Sequence, residues 1–212
     1  MPKVTGQNKL KKLKYKKRFI YLISPNKINN NFYNELKNVF KSGKVEFFQL
    51  RLKKYNEKKI INIGKKIKNI CKQFDVKLIV NDSPIIAKKI NADGCHIGQN
   101  DMNICDSRKL LKKKIIGATC HNSIKLVKKA VNNKADYIAL GSFFLTKTKK
   151  VIHKANIKTL RDAKKITNIP IVVVGGIKSS NYKKLLLNKA NFLAISSFIW
   201  RNKKLKPIEA IK

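Results

Sequence analysis

A chain of 212 residues with 50 Lys and Arg against 11 Asp and Glu, a formal net charge of +39, is long enough for one domain with a sizeable core. No apolar run approaches the roughly 20 residues of a membrane span, and four cysteines without a Cys-x-x-Cys spacing exclude a disulfide scaffold or a zinc ribbon and point to reduced thiols in the cytosol. The basic residues are spread over the whole length and only five are arginine, so the charge reads as a compositional bias that draws in phosphorylated small molecules, with no specific nucleic-acid partner and no membrane.

Residues 1–18 are polar and Lys-rich with no apolar stretch, and are expected to form a basic extension to a domain spanning 19–212. From there short β-rich apolar runs alternate with longer amphipathic stretches. The predicted strands are 19–23, 45–53, 77–80, 94–97, 115–119, 137–141, 171–174 and 192–196. Between them helices are predicted over 31–41, 57–74, 84–90, 107–113, 123–132, 158–166 and 180–187, with a short one near Phe198. Ser83-Pro84 offers an N-cap followed by a proline at the first helical position, and Asn122 and Ser179 are expected to cap in the same way. Eight β/α units in so short a chain predict an α/β fold, a single-domain (β/α)8 TIM barrel with its chemistry at the C-terminal strand ends.

Taken in chain order, the second strand places Gln49, Arg51 and Lys53 on one face and Phe48, Leu50 and Leu52 on the other. In a barrel the apolar set meets the helices, so the polar triplet faces inward, where two cations require an anionic partner. The third and fourth strands run into Asn81-Asp82 and Gly98-Gln99-Asn100-Asp101. Each Asp alone suits an Asx turn, but two carboxylates on neighbouring strand ends beside cations suit Mg2+ shared with substrate phosphates. Cys95-His96 and Cys120-His121 read as packing, since adjacent strand residues point to opposite faces.

After the sixth strand, Thr146-Lys147-Thr148-Lys149 offers hydroxyls, amides and a point charge to phosphate, within a lid candidate at 143–153. Gly175-Gly176-Ile177 and Ser196-Ser197 follow the seventh and eighth strands, where a barrel builds its phosphate cradle.

In order and spacing these motifs resemble those of the thiamine phosphate synthase family over Phe19 to about Trp200. The resemblance implies condensation of 4-amino-2-methyl-5-hydroxymethylpyrimidine diphosphate with 4-methyl-5-(2-phosphooxyethyl)thiazole, giving thiamine phosphate and pyrophosphate with Mg2+. It implies that Gln49, Arg51, Lys53, Asn81, Thr119 and Lys149 bind the pyrimidine diphosphate, with Arg51, Lys53 and Lys149 acting on the leaving group. Asp82 and Asp101 would hold the metal, while Thr146, Thr148, Gly176, Ser196 and Ser197 would hold the thiazole phosphate. The sequence departs from the family's habit at Thr119, where Ser is usual, at Lys150-Val151-Ile152, and in its charge. The rival readings are a thiazole tautomerase using His121 and a non-catalytic basic barrel that binds RNA or membrane; a homo-oligomer is compatible with all of them.

Overall fold

The structure is a computed structural model that describes residues 19–146 and 152–212. The eight predicted strands form one closed parallel barrel in sequence order: β1 (Ile20–Ile23), β2 (Val45–Leu50), β3 (Lys77–Asn81), β4 (Gly94–Ile97), β5 (Ile115–His121), β6 (Tyr137–Gly141), β7 (Ile171–Val174) and β8 (Phe192–Ile195). Closure is by β1 against β8, with Ile20 opposite Leu193 and Leu22 opposite Ile195. The crossovers include α1 (Phe32–Phe40), α2 (Glu57–Gln73), α3 (Pro84–Lys89), α4 (Ile104–Leu111), α5 (Ile124–Asn132), α6 (Ile157–Ile166) and α7 (Lys183–Leu187), followed by α8 (Ser197–Trp200) and α9 (Pro207–Ala210).

Side-chain alternation sorts the core into two layers. Tyr21, Phe47, Ile79, Tyr137, Val172 and Phe192 fill the barrel interior, Phe47 meeting Phe192 edge-on with ring centroids 5.0 Å apart. Their strand neighbours, such as Leu22, Phe48 and Val173, face outward into the larger sheet-to-helix layer. The helices present matching stripes: α2 buries Ile63, Ile67 and Ile70, spaced at i, i+4 and i+7. Each such side chain contributes about 1.5–3 kcal/mol on burial, and the Lys-rich opposite faces are left to solvent.

Helix starts are set by short polar side chains. Asn56, Ser83, Asn103, Ser123 and Asn156 each accept a hydrogen bond from the backbone N–H three residues on. Two expected caps are corrected. Ser123 takes the position expected of Asn122, and α7 starts four residues beyond Ser179, at Lys183, with no side-chain cap. α4 likewise begins at Ile104, earlier than the expected 107, because Asn103 supplies the cap. β2 ends at Leu50, so Arg51 and Lys53 stand on the loop above the strand and not within it.

A repeated clasp closes the N-terminal face. Asp93, just before β4, accepts the Leu78 N–H at 2.8 Å and the Lys68 ammonium at 2.6 Å. Asp136, just before β6, accepts the Ile116 N–H at 2.7 Å and the Arg108 guanidinium at 2.5 Å. Asn191, just before β8, accepts the Ile171 N–H at 2.9 Å and the Lys164 ammonium at 2.6 Å. In each case one side chain ties the start of the preceding strand to the helix that leads into that strand. Among the described residues, no helix is long and apolar enough to cross a membrane.

Candidate active site

A cavity of about 490 Å3 opens at the C-terminal end of the barrel. One wall comes from β2, β3 and β4. Gln49 points inward and is 3% exposed. Above it, Ser24 accepts a hydrogen bond from the Arg51 N–H at 2.9 Å, fixing the loop so that the Arg51 side chain lines the cavity. Arg51 forms no ion pair among the described residues, leaving its charge for an entering anion.

Asp82 follows β3 in the left-handed region, φ +65°, a conformation that Asp tolerates. Its N–H donates to the His96 carbonyl at 2.8 Å, extending the β3–β4 ladder by one residue and leaving the carboxylate at the rim. Lys53 reaches that carboxylate at 3.1 Å. Asp101 accepts the Gly98 N–H at 2.6 Å through one oxygen, which is the turn-capping role open to any Asp here. Asp82 is near enough for its charge to act on the Asp101 carboxyl. Partial burial first, and then the Asp82 charge, hold the Asp101 carboxyl above its usual pKa against the opposing Gly98 amide and Lys53.

The opposite wall comes from β6, β7 and β8. Gly175 and Gly176 have φ of +105° and +63°. A Cβ on Gly176 would collide with the Leu145 carbonyl oxygen, and one on Gly175 with Ser142. Glycine is therefore required for the loop after β6 to pack against the end of β7, where the Phe143 and Phe144 N–H groups donate to Val174 and Gly175, each at 3.0 Å. Neither the Gly176 nor the Ser197 N–H has a partner among the described residues, so both are available to a phosphate. Thr146, Ser196 and Ser197 line the same side. Thr148 and Lys149 lie outside the described residues, as does part of the lid candidate; its described flanks are pinned where the Ser142 N–H donates to the His153 carbonyl at 2.9 Å.

The cavity floor holds an arrangement not anticipated from the sequence. The Tyr21 and Tyr137 hydroxyls are 2.8 Å apart, Tyr137 is 2.9 Å from His96 Nδ1, and His96 Nε2 is 2.8 Å from the Thr119 hydroxyl. Gln49 and Tyr21 line the same cavity. Burial pushes the His96 pKa down to about 4, only partly opposed by Asp82, so the ring is neutral near pH 7. Burial likewise raises both tyrosines, which stay protonated. The inward alternation of Tyr21, His96, Thr119 and Tyr137 was visible in the sequence, but the strand tilt that brings their tips together was not. His121 sits at the rim with its ring tilted against that of His153, centroids 4.4 Å apart. Cys95 and Cys120 are buried, as expected of packing residues, and burial raises both thiols, Cys120 to about 12.

Among the described residues no three His, Cys, Asp or Glu gather into a metal-binding group. Asp82 and Asp101 instead form a pair of oxygen donors whose mutual repulsion a cation would relieve. That donor set fits a hard divalent ion held by one or two carboxylates and substrate phosphates.

The family model described as thiamine monophosphate synthase matches residues 20–199. The chain belongs to the thiamine monophosphate synthase family. A thiamine-phosphate synthase of Pelagibacter ubique is 60% identical over 204 residues, spanning 96% of this chain and 99% of the relative. That of Erythrobacter litoralis is 34% identical over 196 residues, spanning 90% and 92%. Thiamine phosphate pyrophosphorylase from Pyrococcus furiosus, a solved structure, shares the barrel with a TM-score of 0.82 at 24% identity, covering 92% of this chain and 93% of its own. Membership in the thiamine monophosphate synthase family makes this protein a transferase of thiamine biosynthesis.

Proposed function

We propose that the chain joins 4-amino-2-methyl-5-hydroxymethylpyrimidine diphosphate to 4-methyl-5-(2-phosphooxyethyl)thiazole, releasing pyrophosphate, by a Mg2+-assisted dissociative substitution in the cytosol. The observation that carries this reading is the meeting of Asp82 with Asp101, flanked by Arg51 and Lys53, across one cavity from the unpaired Gly176 and Ser197 amides. A diphosphate leaving group and a phosphate ester thus each have a fitting wall.

In this reading the C–O bond between the pyrimidine methylene and the diphosphate breaks first, its electron pair leaving with pyrophosphate. The thiazole nitrogen lone pair then forms the new C–N bond, and no protein nucleophile takes part. Arg51, Lys53 and Lys149 stabilise the charge growing on the departing oxygens, which requires donors fixed in place beforehand. Asp82 and Asp101 would hold Mg2+, which when bound neutralises pyrophosphate charge. Gln49, Asn81 and Thr119 hold the pyrimidine, while Thr146, Thr148, Gly176, Ser196 and Ser197 hold the thiazole phosphate, so that the two reactants meet in line. Residues 19–212 carry all these groups.

Incubation with both precursors, with and without Mg2+, tests the reading. Joint release of thiamine phosphate and pyrophosphate only with the metal supports it. A tautomerase depending on His121 would instead keep its turnover in Asp82→Ala, a variant expected to lose roughly a hundredfold or more here.

A further inference from the structure

His121 and His153 meet at the cavity mouth, outside the groups that the reading above gives to either substrate. Their ring centroids are 4.4 Å apart and their planes are tilted by 37°. Both side chains line the cavity. His121 ends β5, and His153 stands in the stretch before α6. Three hydrogen bonds hold that stretch against the ends of β5 and β6. The Ser142 N–H donates to the His153 carbonyl at 2.9 Å, the Ala155 N–H donates to the Ser142 carbonyl at 3.0 Å, and Asn122 Nδ2 donates to the Lys154 carbonyl at 3.1 Å. The backbone itself therefore brings the two rings together.

Two imidazoles that bind one ion through nitrogen at about 2.0–2.1 Å, near the tetrahedral angle, have ring centroids about 5 Å apart. A small side-chain rotation takes the observed pair to that spacing. An imidazole has two nitrogens, so a histidine that hydrogen-bonds through one still offers the other to a metal, the usual state of a ligating histidine. Imidazole suits zinc and its late first-row neighbours, whereas Mg2+ takes oxygen. The field opposes any cation here, since exposed Lys154 adjoins the pair and the chain carries +39. Salt screens that field beyond about 8 Å, and the coordinate bond to a neutral nitrogen offsets what remains. The geometry points to a zinc-class site at the cavity mouth, in which His121 and His153 hold one ion and water or a phosphate oxygen completes its shell. This site is separate from the Asp82 and Asp101 pair. An ion there ties the stretch before α6 to the end of β5 beside the entrance, so Zn2+ inhibits turnover at a place for which Mg2+ does not compete.

The free protein is titrated calorimetrically with Zn2+ in excess Mg2+ at about pH 7.5, where ordinary imidazole is neutral. Wild type is compared with His153→Ala and His121→Asn, Asn being chosen because His121 has a left-handed backbone, φ +52°. Asp82→Ala and the exposed thiol variant Cys105→Ser report on other donors. Wild type is expected to bind one Zn2+ that excess Mg2+ does not displace. Each histidine variant should lose more than about tenfold in affinity, while Asp82→Ala and Cys105→Ser keep it. Inhibition of the Mg2+-loaded enzyme should move in parallel, His153→Ala needing about tenfold more Zn2+. Undiminished binding in the histidine variants, displacement by Mg2+, or loss of the ion in Asp82→Ala or Cys105→Ser overturns the site. Equal inhibition of wild type and His153→Ala overturns its effect on turnover.

Discussion

The Lys53 ammonium lies 3.1 Å from the Asp82 carboxylate, joining the end of the basic row above β2 to the carboxylate pair above β3 and β4. Lys53 therefore holds the place that a cation would share with Asp82, and in turnover it must exchange Asp82 for the diphosphate. Lys53→Met is expected to tighten Mg2+ binding a few-fold, because a partly exposed pair of this kind is worth about 1 kcal/mol or less. The same variant should lower kcat by about a hundredfold through loss of a leaving-group cation. Calorimetric titration of the free enzyme and steady-state kinetics read the two opposite effects; weaker metal binding would refute the exchange.

Gly176 and Gly43 share a left-handed backbone, φ +63° and +68°, but only Gly176 is enclosed. Gly43→Ala meets nothing within 4 Å and is expected to cost about 1 kcal/mol from backbone conformation alone. Gly176→Ala adds a collision with the Leu145 carbonyl and is expected to cost roughly 2–3 kcal/mol. Its KM for the thiazole phosphate should rise more than that for the pyrimidine diphosphate. Urea midpoints and the two KM values decide it.

The clasp at the barrel base predicts a stability effect without a kinetic one. Asp136→Ala leaves the Ile116 N–H and the Arg108 guanidinium without their shared acceptor, at an expected cost of about 2–3 kcal/mol. Asp136→Asn should cost roughly 1 kcal/mol, since Asn191 does the same work with an amide in the third clasp. Denaturant unfolding measures both, and kcat/KM below the unfolding range should not change.

His96 makes stability depend on pH. Its folded pKa, about 4, lies below the 6.5 of an ordinary histidine, so between those values the unfolded chain binds the extra proton. The stabilisation is complete above pH 6.5 and is lost as pH falls toward 4, amounting to about 3 kcal/mol over the window. The urea midpoint of the wild type should therefore fall more steeply across this range than that of His96→Phe. Parallel pH profiles would show that the ring is already charged in the folded barrel.

The barrel was legible because each unit states its own structure: inward and outward alternation as in Phe47-Phe48-Gln49-Leu50, a short polar cap such as Ser83, and an apolar helix stripe such as that of α2. The rim groups were legible too, since Asp82 and Asp101 immediately follow strand runs in a chain with few carboxylates to spare. Less could be read where a local pattern has two solutions, as at Asn122 and Ser123, either of which could cap α5.

What the sequence alone determined, then, was the order of elements and the identity of the charged groups above the strands, because both follow from patterns spanning fewer than a dozen residues. Only the tertiary structure decided that Asp82 faces Asp101 and Lys53, and that Tyr21 meets Tyr137 across 116 residues of chain. Those contacts are set by the tilt and closure of eight strands together, a property of the whole barrel that no single segment encodes.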